Sequence, residues 1–219
     1  MMLPNSLWTL PLWPHGVRPK LYSFRRCPYA MRARLALWAS GLEFDKQEVD
    51  LKQKPPELWD ANPVGTVPVI VWVENGSPVV IAQSFEIMIC ALRARDPLSW
   101  LPQHQESWTT ALEIITANDV SFKKHLDRYK YPNRHPETSS LKEREAGSVF
   151  LQSYEKVLEN QDFLSGDHFG MLDAALAPFV RQFAKTDLLW FNSQGWPKLI
   201  RWLQAFEKSD AFTFIMQKS

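Results

Sequence analysis

The chain has 219 residues, 45% hydrophobic and 22% charged, which fits one large domain or two small ones and excludes a disordered, collagenous or coiled-coil chain. Its two cysteines exclude a disulfide framework and a multi-cysteine zinc site. A net charge of +1, from 25 basic and 24 acidic residues, argues against broad electrostatic binding to nucleic acid or to a membrane. The balance is uneven, however. Residues 1–42 contain no Asp or Glu, and Arg18, Lys20, Arg25, Arg26, Arg32 and Arg34 give them +6, which leaves −5 for the other 177 residues.

The apolar start, MMLPNSLWTLPLWPHG, has no basic stretch in front of it and is broken by Pro4, Pro11 and Pro14, so residues 1–18 read as a proline-rich extension and not as a secretory signal. No run reaches the roughly 18 apolar residues of a membrane span. The expectation is a cytoplasmic protein with reduced thiols. Residues 20–24 (KLYSF) then read as a strand. Pro28–Ser40 reads as a helix, with Pro28 in its first turn and Gly41 just past its end. Residues 42–51 form a strand whose mixed charges suit a sheet edge. Pro55, Pro56 and Pro63 confine residues 57–61 to about one helical turn. Residues 67–73 and 78–81 are two strands joined through Asn75-Gly76, a strong hairpin signal. A helix follows over residues 84–95, with Ser84 expected as its N-cap. This β-α-β-α-β-β-α order is the arrangement of a thioredoxin-like fold.

After a proline-containing linker at residues 96–103, the apolar residues recur at helical spacing. Trp108, Leu112, Ile115, Phe122, Leu126 and Tyr129 form one such set, and Leu172, Leu176, Phe179, Val180 and Phe183 another. The second half is therefore an all-α bundle, with breaks at Tyr131-Pro132, Ser165-Gly166 and Gly195-Trp196-Pro197. The domain expectation is an extension over 1–18, a thioredoxin-like domain over 19–95 and a helical domain over 104–219.

Cys27 falls where the first strand turns into the first helix. Unpaired N–H groups and the positive end of the helix dipole favour a thiolate there, and Arg25 and Arg26 add positive charge. Such surroundings lower a thiol from about 8.5 to about 3.5–7.5. Arg32 and Arg34, further along the helix, read as solvated or paired with acids. Cys90, inside Ile87-Met88-Ile89-Cys90-Ala91-Leu92, reads as inert core. Ala30 occupies the place where a redox dithiol motif needs its second cysteine, so any disulfide chemistry uses an external thiol. The five histidines show no metal-ligand spacing, and no metal is expected.

Cys27-Pro28-Tyr29-Ala30 after a strand, Asn62-Pro63-Val64-Gly65-Thr66-Val67-Pro68-Val69, and Gln83-Ser84 opening a helix together resemble the cytosolic glutathione transferase superfamily. The likeness is to its cysteine-dependent, omega-like and glutaredoxin-like members, and it covers nearly the whole chain from about Pro19. The resemblance implies a thioredoxin-like domain followed by an all-α domain, glutathione as co-substrate and a homodimer formed through the helix at Ser84 and the first long helix of the second domain. It further implies that Cys27 is catalytic and that Tyr29 packs near glutathione. Val67-Pro68 would be the cis-proline turn whose Val67 backbone pairs with the cysteinyl part of glutathione. Ser84 at its helix N-terminus would hold the γ-glutamyl carboxylate, Gln83 would accept the γ-glutamyl ammonium, and Lys54 would reach the glycyl carboxylate. Relatives usually open their buried central helix with a Ser/Thr-x-x-Asp box. Here Gly170-Met171-Leu172-Asp173 stands in its place, and Asp173 reads as structural.

The activity implied is thiol transfer: Cys27 attacks a glutathione mixed disulfide, and a second glutathione resolves the adduct. Two other readings stand beside it. One is conventional conjugation of glutathione to an apolar electrophile, for which Trp108 and neighbouring aromatics could line a site. The other is a non-catalytic scaffold that binds a partner protein, of the stringent starvation protein A type.

Overall fold

The computed structural model describes residue 7 and residues 9–218; the rest of the expected extension, residues 1–6 and 8, lies outside the described residues. The chain divides into two compact units, Met1–Leu101 together with Ser209–Ser219, and Pro102–Lys208.

The first unit is built on a four-stranded mixed sheet. Its strands are β1 (Lys20–Ser23), β2 (Asp45–Glu48), β3 (Val69–Glu74) and β4 (Ser77–Ile81), in the order β2-β1-β3-β4. The charged β2 lies at the edge, parallel to β1, while β3 runs antiparallel to both β1 and β4. The β3–β4 hairpin turns on Asn75 (φ 50°) and Gly76 (φ 78°), two consecutive left-handed residues whose twist matches that of the flanking strands. Alternation divides the sheet into two faces. Tyr22 and Val69, opposite one another in register, pack with Val49 and with Leu58 of α2 (Pro56–Ala61). The other helices are α1 (Pro28–Ser40) and α3 (Ser84–Ala94), which pack on each other. The N-cap of α3 is Gln83, not Ser84, which is its first helical residue.

Two segments outside the sheet belong to this unit. The described part of the extension is held by Arg93, which donates to the Leu7 carbonyl at 2.9 Å, and by the ring of Trp13, 6.4 Å from that of Trp72. The C-terminal helix α10 (Asp210–Met216) packs on α1. Sequence alone assigned residues 209–219 to the helical half. They group with the first unit because Arg34 and Lys46 donate to the carbonyls of Ile215 and Gln217 at 3.2 Å each.

The second unit is helical. It contains α4 (Gln105–Ala117), a π-helical turn (Asn118–Phe122), α5 (Lys123–Lys130), α6 (Ser140–Leu158), α7 (Met171–Ala184), α8 (Leu188–Asn192) and α9 (Pro197–Lys208). Its core centres on α7, where Asp173 is fully buried. One carboxylate oxygen accepts from Leu164 N and Trp202 Nε1, both at 2.7 Å. The other accepts from Ser165 N at 3.0 Å and from Gly170 N, the N-cap of α7, at 3.1 Å, the half of a capping box that a glycine cap can take part in. Trp108 is buried in α4. No helix among the described residues is long and apolar enough to cross a membrane.

Candidate active site

Cys27 is the N-cap of α1, in extended geometry with φ −75° and ψ 122°. Its N–H donates to the Phe24 carbonyl at 3.0 Å and its carbonyl accepts from Met31 at 2.9 Å. The thiol is therefore carried on a tight turn from β1 into the helix. It is half-buried, at the N-terminus of α1, the positive end of the helix dipole.

The Sγ of Cys27 lies 3.6 Å from the Val67 carbonyl, to which it donates, and the Val67-Pro68 bond is cis. The loop that presents Val67 is organised by buried Asn62. Its Nδ2 donates to the Thr66 carbonyl and hydroxyl at 3.1 and 3.0 Å, and its Oδ1 accepts from Val64 N at 3.3 Å. Gly65 (φ +66°) lies so close to the Trp59 ring that a Cβ would stand 2.3 Å from it. Lys54 Nζ sits 4.8 Å from the centre of the same ring, so Lys54, Trp59 and Gly65 form one side of this loop.

Ser84 is buried at the start of α3, and Gln83 before it is exposed. The Ser84 hydroxyl is 3.3 Å from Nη1 of Arg32, whose guanidinium also lies 5.6 Å from the ring of Tyr29. Helix α1 thus connects the Cys27 end of the site to the Ser84 end.

The reading of Arg32 and Arg34 as solvated is overturned. They are 0% and 1% exposed and are bonded to hydroxyls and carbonyls. Helix α1 is buried on nearly every side, so these two charges have no water-facing stripe to occupy. For Arg34 the signal was present in the sequence, since Ala30, Met31, Leu37 and Trp38 occupy its i±3 and i±4 positions. Arg34 donates to Ser23 Oγ, to the Phe24 carbonyl at 3.4 Å and to the Arg25 carbonyl at 2.7 Å. Burial pushes its guanidinium down to about 10, while Glu48 and Cys27 pull it upward, and it remains a cation at neutral pH. Glu48, also missed by sequence reasoning, accepts the Arg25 N–H at 2.7 Å.

Cys90 lies within α3 and is more deeply buried than Cys27. It is 3% exposed, its Sγ donates to the Pro11 carbonyl at 3.2 Å, and burial pushes its thiol up to about 11. No cluster of three or more His, Cys, Asp or Glu among the described residues is placed to hold a metal ion.

The family model of the glutathione S-transferase N-terminal domain matches residues 26–91, and that of the C-terminal domain matches residues 150–205. The chain belongs to the glutathione S-transferase family. Glutathione S-transferase U28 of Arabidopsis thaliana is 32% identical over 166 residues, 73% of this chain and 70% of that protein. Glutathione S-transferase omega-1 of Mus musculus is 26% identical over 202 residues, 86% of this chain and 76% of that protein. Among solved structures, a glutathione transferase family member from Pseudomonas fluorescens with two glutathione bound superposes with a TM-score of 0.77 at 16% identity, covering 97% of this chain and 96% of that one. Glutathione transferase Omega 2C from Trametes versicolor gives 0.73 at 18% identity, covering 92% and 94%. Both share the fold. In this transferase the matched N-terminal domain takes in Cys27, Tyr29, Lys54, Val67, Pro68, Gln83 and Ser84.

Proposed function

We propose that this transferase uses Cys27 for glutathione-dependent thiol transfer. The observation that carries the reading is the half-buried Cys27 thiol at a helix N-terminus, 3.6 Å from the Val67 carbonyl. Cys27 thiolate attacks the glutathione sulfur of R–S–S–glutathione, forming the Cys27–glutathione disulfide and releasing RS⁻, which takes a proton from solvent. A second glutathione thiolate attacks that adduct, yielding glutathione disulfide and regenerating the Cys27 thiolate. In this reading the Val67 backbone pairs with the cysteinyl part of glutathione. Ser84 and the N–H groups opening α3 receive the γ-glutamyl carboxylate, Gln83 takes the ammonium, and Lys54 the glycyl carboxylate, with Tyr29 packed alongside. Buried Arg32 supports the Ser84 end, since its guanidinium adds positive charge behind the hydroxyl that meets the carboxylate.

The likeness to glutathione-bound relatives supports glutathione as the co-substrate. A homodimeric, cytoplasmic protein is part of the same reading. Cys27→Ser is expected to abolish thiol transfer to a small glutathione mixed disulfide, because a hydroxyl cannot form the disulfide intermediate. Turnover near wild type in that variant would refute the proposal. Retained glutathione binding together with faster conjugation to an aryl halide than thiol transfer in the wild type would favour conventional conjugation.

A further inference from the structure

The β1–α1 loop that delivers Cys27 is pinned from beneath. Ser23, Phe24 and Arg25, the residues leading into the cysteine turn, each offer Arg34 an acceptor: the Ser23 hydroxyl, and the Phe24 and Arg25 carbonyls at 3.4 and 2.7 Å. The fourth acceptor lies on a distant part of the chain, the Ile215 carbonyl at 3.2 Å from Arg34 Nε. That carbonyl belongs to the last turn of α10, where helix C=O groups lack partners within the helix and carry the negative end of the dipole. Two guanidinium edges therefore face different segments: one holds the loop before Cys27 and the other holds the C-terminal helix. Removing so large a charge from water is costly unless its N–H groups are matched, and these acceptors match them.

We propose that Arg34 is a positioning residue for Cys27, fixing the turn that carries the thiol and keeping a buried positive charge behind it. This rests on the reading of Cys27 as the reactive thiol. The electrostatics agree, since a charged Cys27 favours the charged form of Arg34 against the burial that lowers it. The other charged groups facing this region are Arg25 and Arg26 in the loop, and Lys46 and Glu48 from β2, with Tyr29 adjacent on α1. Arg25 and Arg26 are solvent-accessible, where water and salt weaken their influence. Arg34 is buried and is not screened in this way.

The test is the pH profile of Cys27 alkylation by iodoacetamide, followed by mass spectrometry of the Cys27 peptide in wild type, Arg34→Met, Arg34→Lys and Arg18→Gln, each checked for folding by circular dichroism. Arg34→Met is expected to move the midpoint upward, slowing alkylation at pH 6.5 about fivefold, the scale of losing one nearby charge at intermediate dielectric. Arg34→Lys keeps the charge but cannot span all four acceptors, and about a twofold slowing is expected. Arg18→Gln, whose exposed side chain pairs with Glu43 and Asp45, is expected to match wild type. If Arg34→Met does not fold, Arg34→Lys decides. A wild-type profile in a folded Arg34→Met, or in Arg34→Lys when only it folds, overturns the proposal. No glutathione enters this measurement, so failure of the glutathione reading would appear in the mixed-disulfide assay and not here.

Discussion

Glutathione disulfide or iodoacetamide at pH 7.5 should modify Cys27 and leave Cys90 untouched in the folded protein. Burial raises the Cys90 thiol from about 9 to about 11. Two units lower its thiolate fraction at pH 7.5 roughly a hundredfold, to a few parts in ten thousand. At 3% exposure, with its S–H directed at the Pro11 carbonyl, even that fraction needs a local opening to react. The same shift has a consequence for stability. The folded thiol holds its proton more tightly than the unfolded one, so the stabilising contribution is complete below about pH 9. It is lost as pH rises toward about 11 and amounts to about 2–3 kcal/mol over that window. The assay is time-resolved labelling with peptide mass spectrometry at pH 7.5, with and without denaturant, together with urea midpoints of wild type and Cys90→Ala from pH 8 to pH 11. Cys90 is expected to label only in denaturant, and Cys90→Ala to flatten the alkaline fall in stability. Labelling of Cys90 within tenfold of the Cys27 rate in the folded state would refute the reasoning.

Asp173→Asn keeps one oxygen but turns an amide nitrogen toward the donors of the other, either Leu164 N and Trp202 Nε1 or Ser165 N and Gly170 N. The bonds to one oxygen are lost and their donors orphaned, a cost of about 3–5 kcal/mol. For a chain of this size that lowers Tm by about 8–15 °C, and a fall under about 3 °C in a thermal melt would be inconsistent with this buried hydrogen-bond network. Burial tends to raise Glu143, but contacts from His125 at 2.6 Å, Thr138 at 2.8 Å and Arg128 at 3.4 Å outweigh it and hold the carboxyl below the usual range. A depressed carboxyl stabilises the fold above its unfolded value of about 4.3 and loses that contribution as pH falls through the folded value. Glu143→Gln should therefore flatten the decline in stability between about pH 5 and pH 3, and urea titrations across that range measure it.

Local chemistry was legible where one residue type answers one backbone demand. Pro28 and Gly41 bound α1, and Asn75-Gly76 closes the hairpin, because each position needs a restricted φ that few residues supply. The N-cap of α3 moved from Ser84 to Gln83 because capping depends on where the chain bends and not on side-chain preference alone. Residues 209–219 group with the first unit for a related reason. Their helical periodicity reveals an apolar stripe but not which partner covers it.

At the site, sequence by itself determined the cysteine at a strand-to-helix turn, the Val67-Pro68 loop and the basic residues around them, since these are questions of residue type and spacing. Only the tertiary structure decided what the positive charges do. Arg25 and Arg26, adjacent to Cys27 in the chain, remain accessible to water, whereas Arg34, seven residues away, lies under the turn and reaches both Arg25 and Ile215. A charged side chain in a helix is solvated or buried according to what packs around it, and that packing is settled by contacts between segments as far apart as α1 and α10.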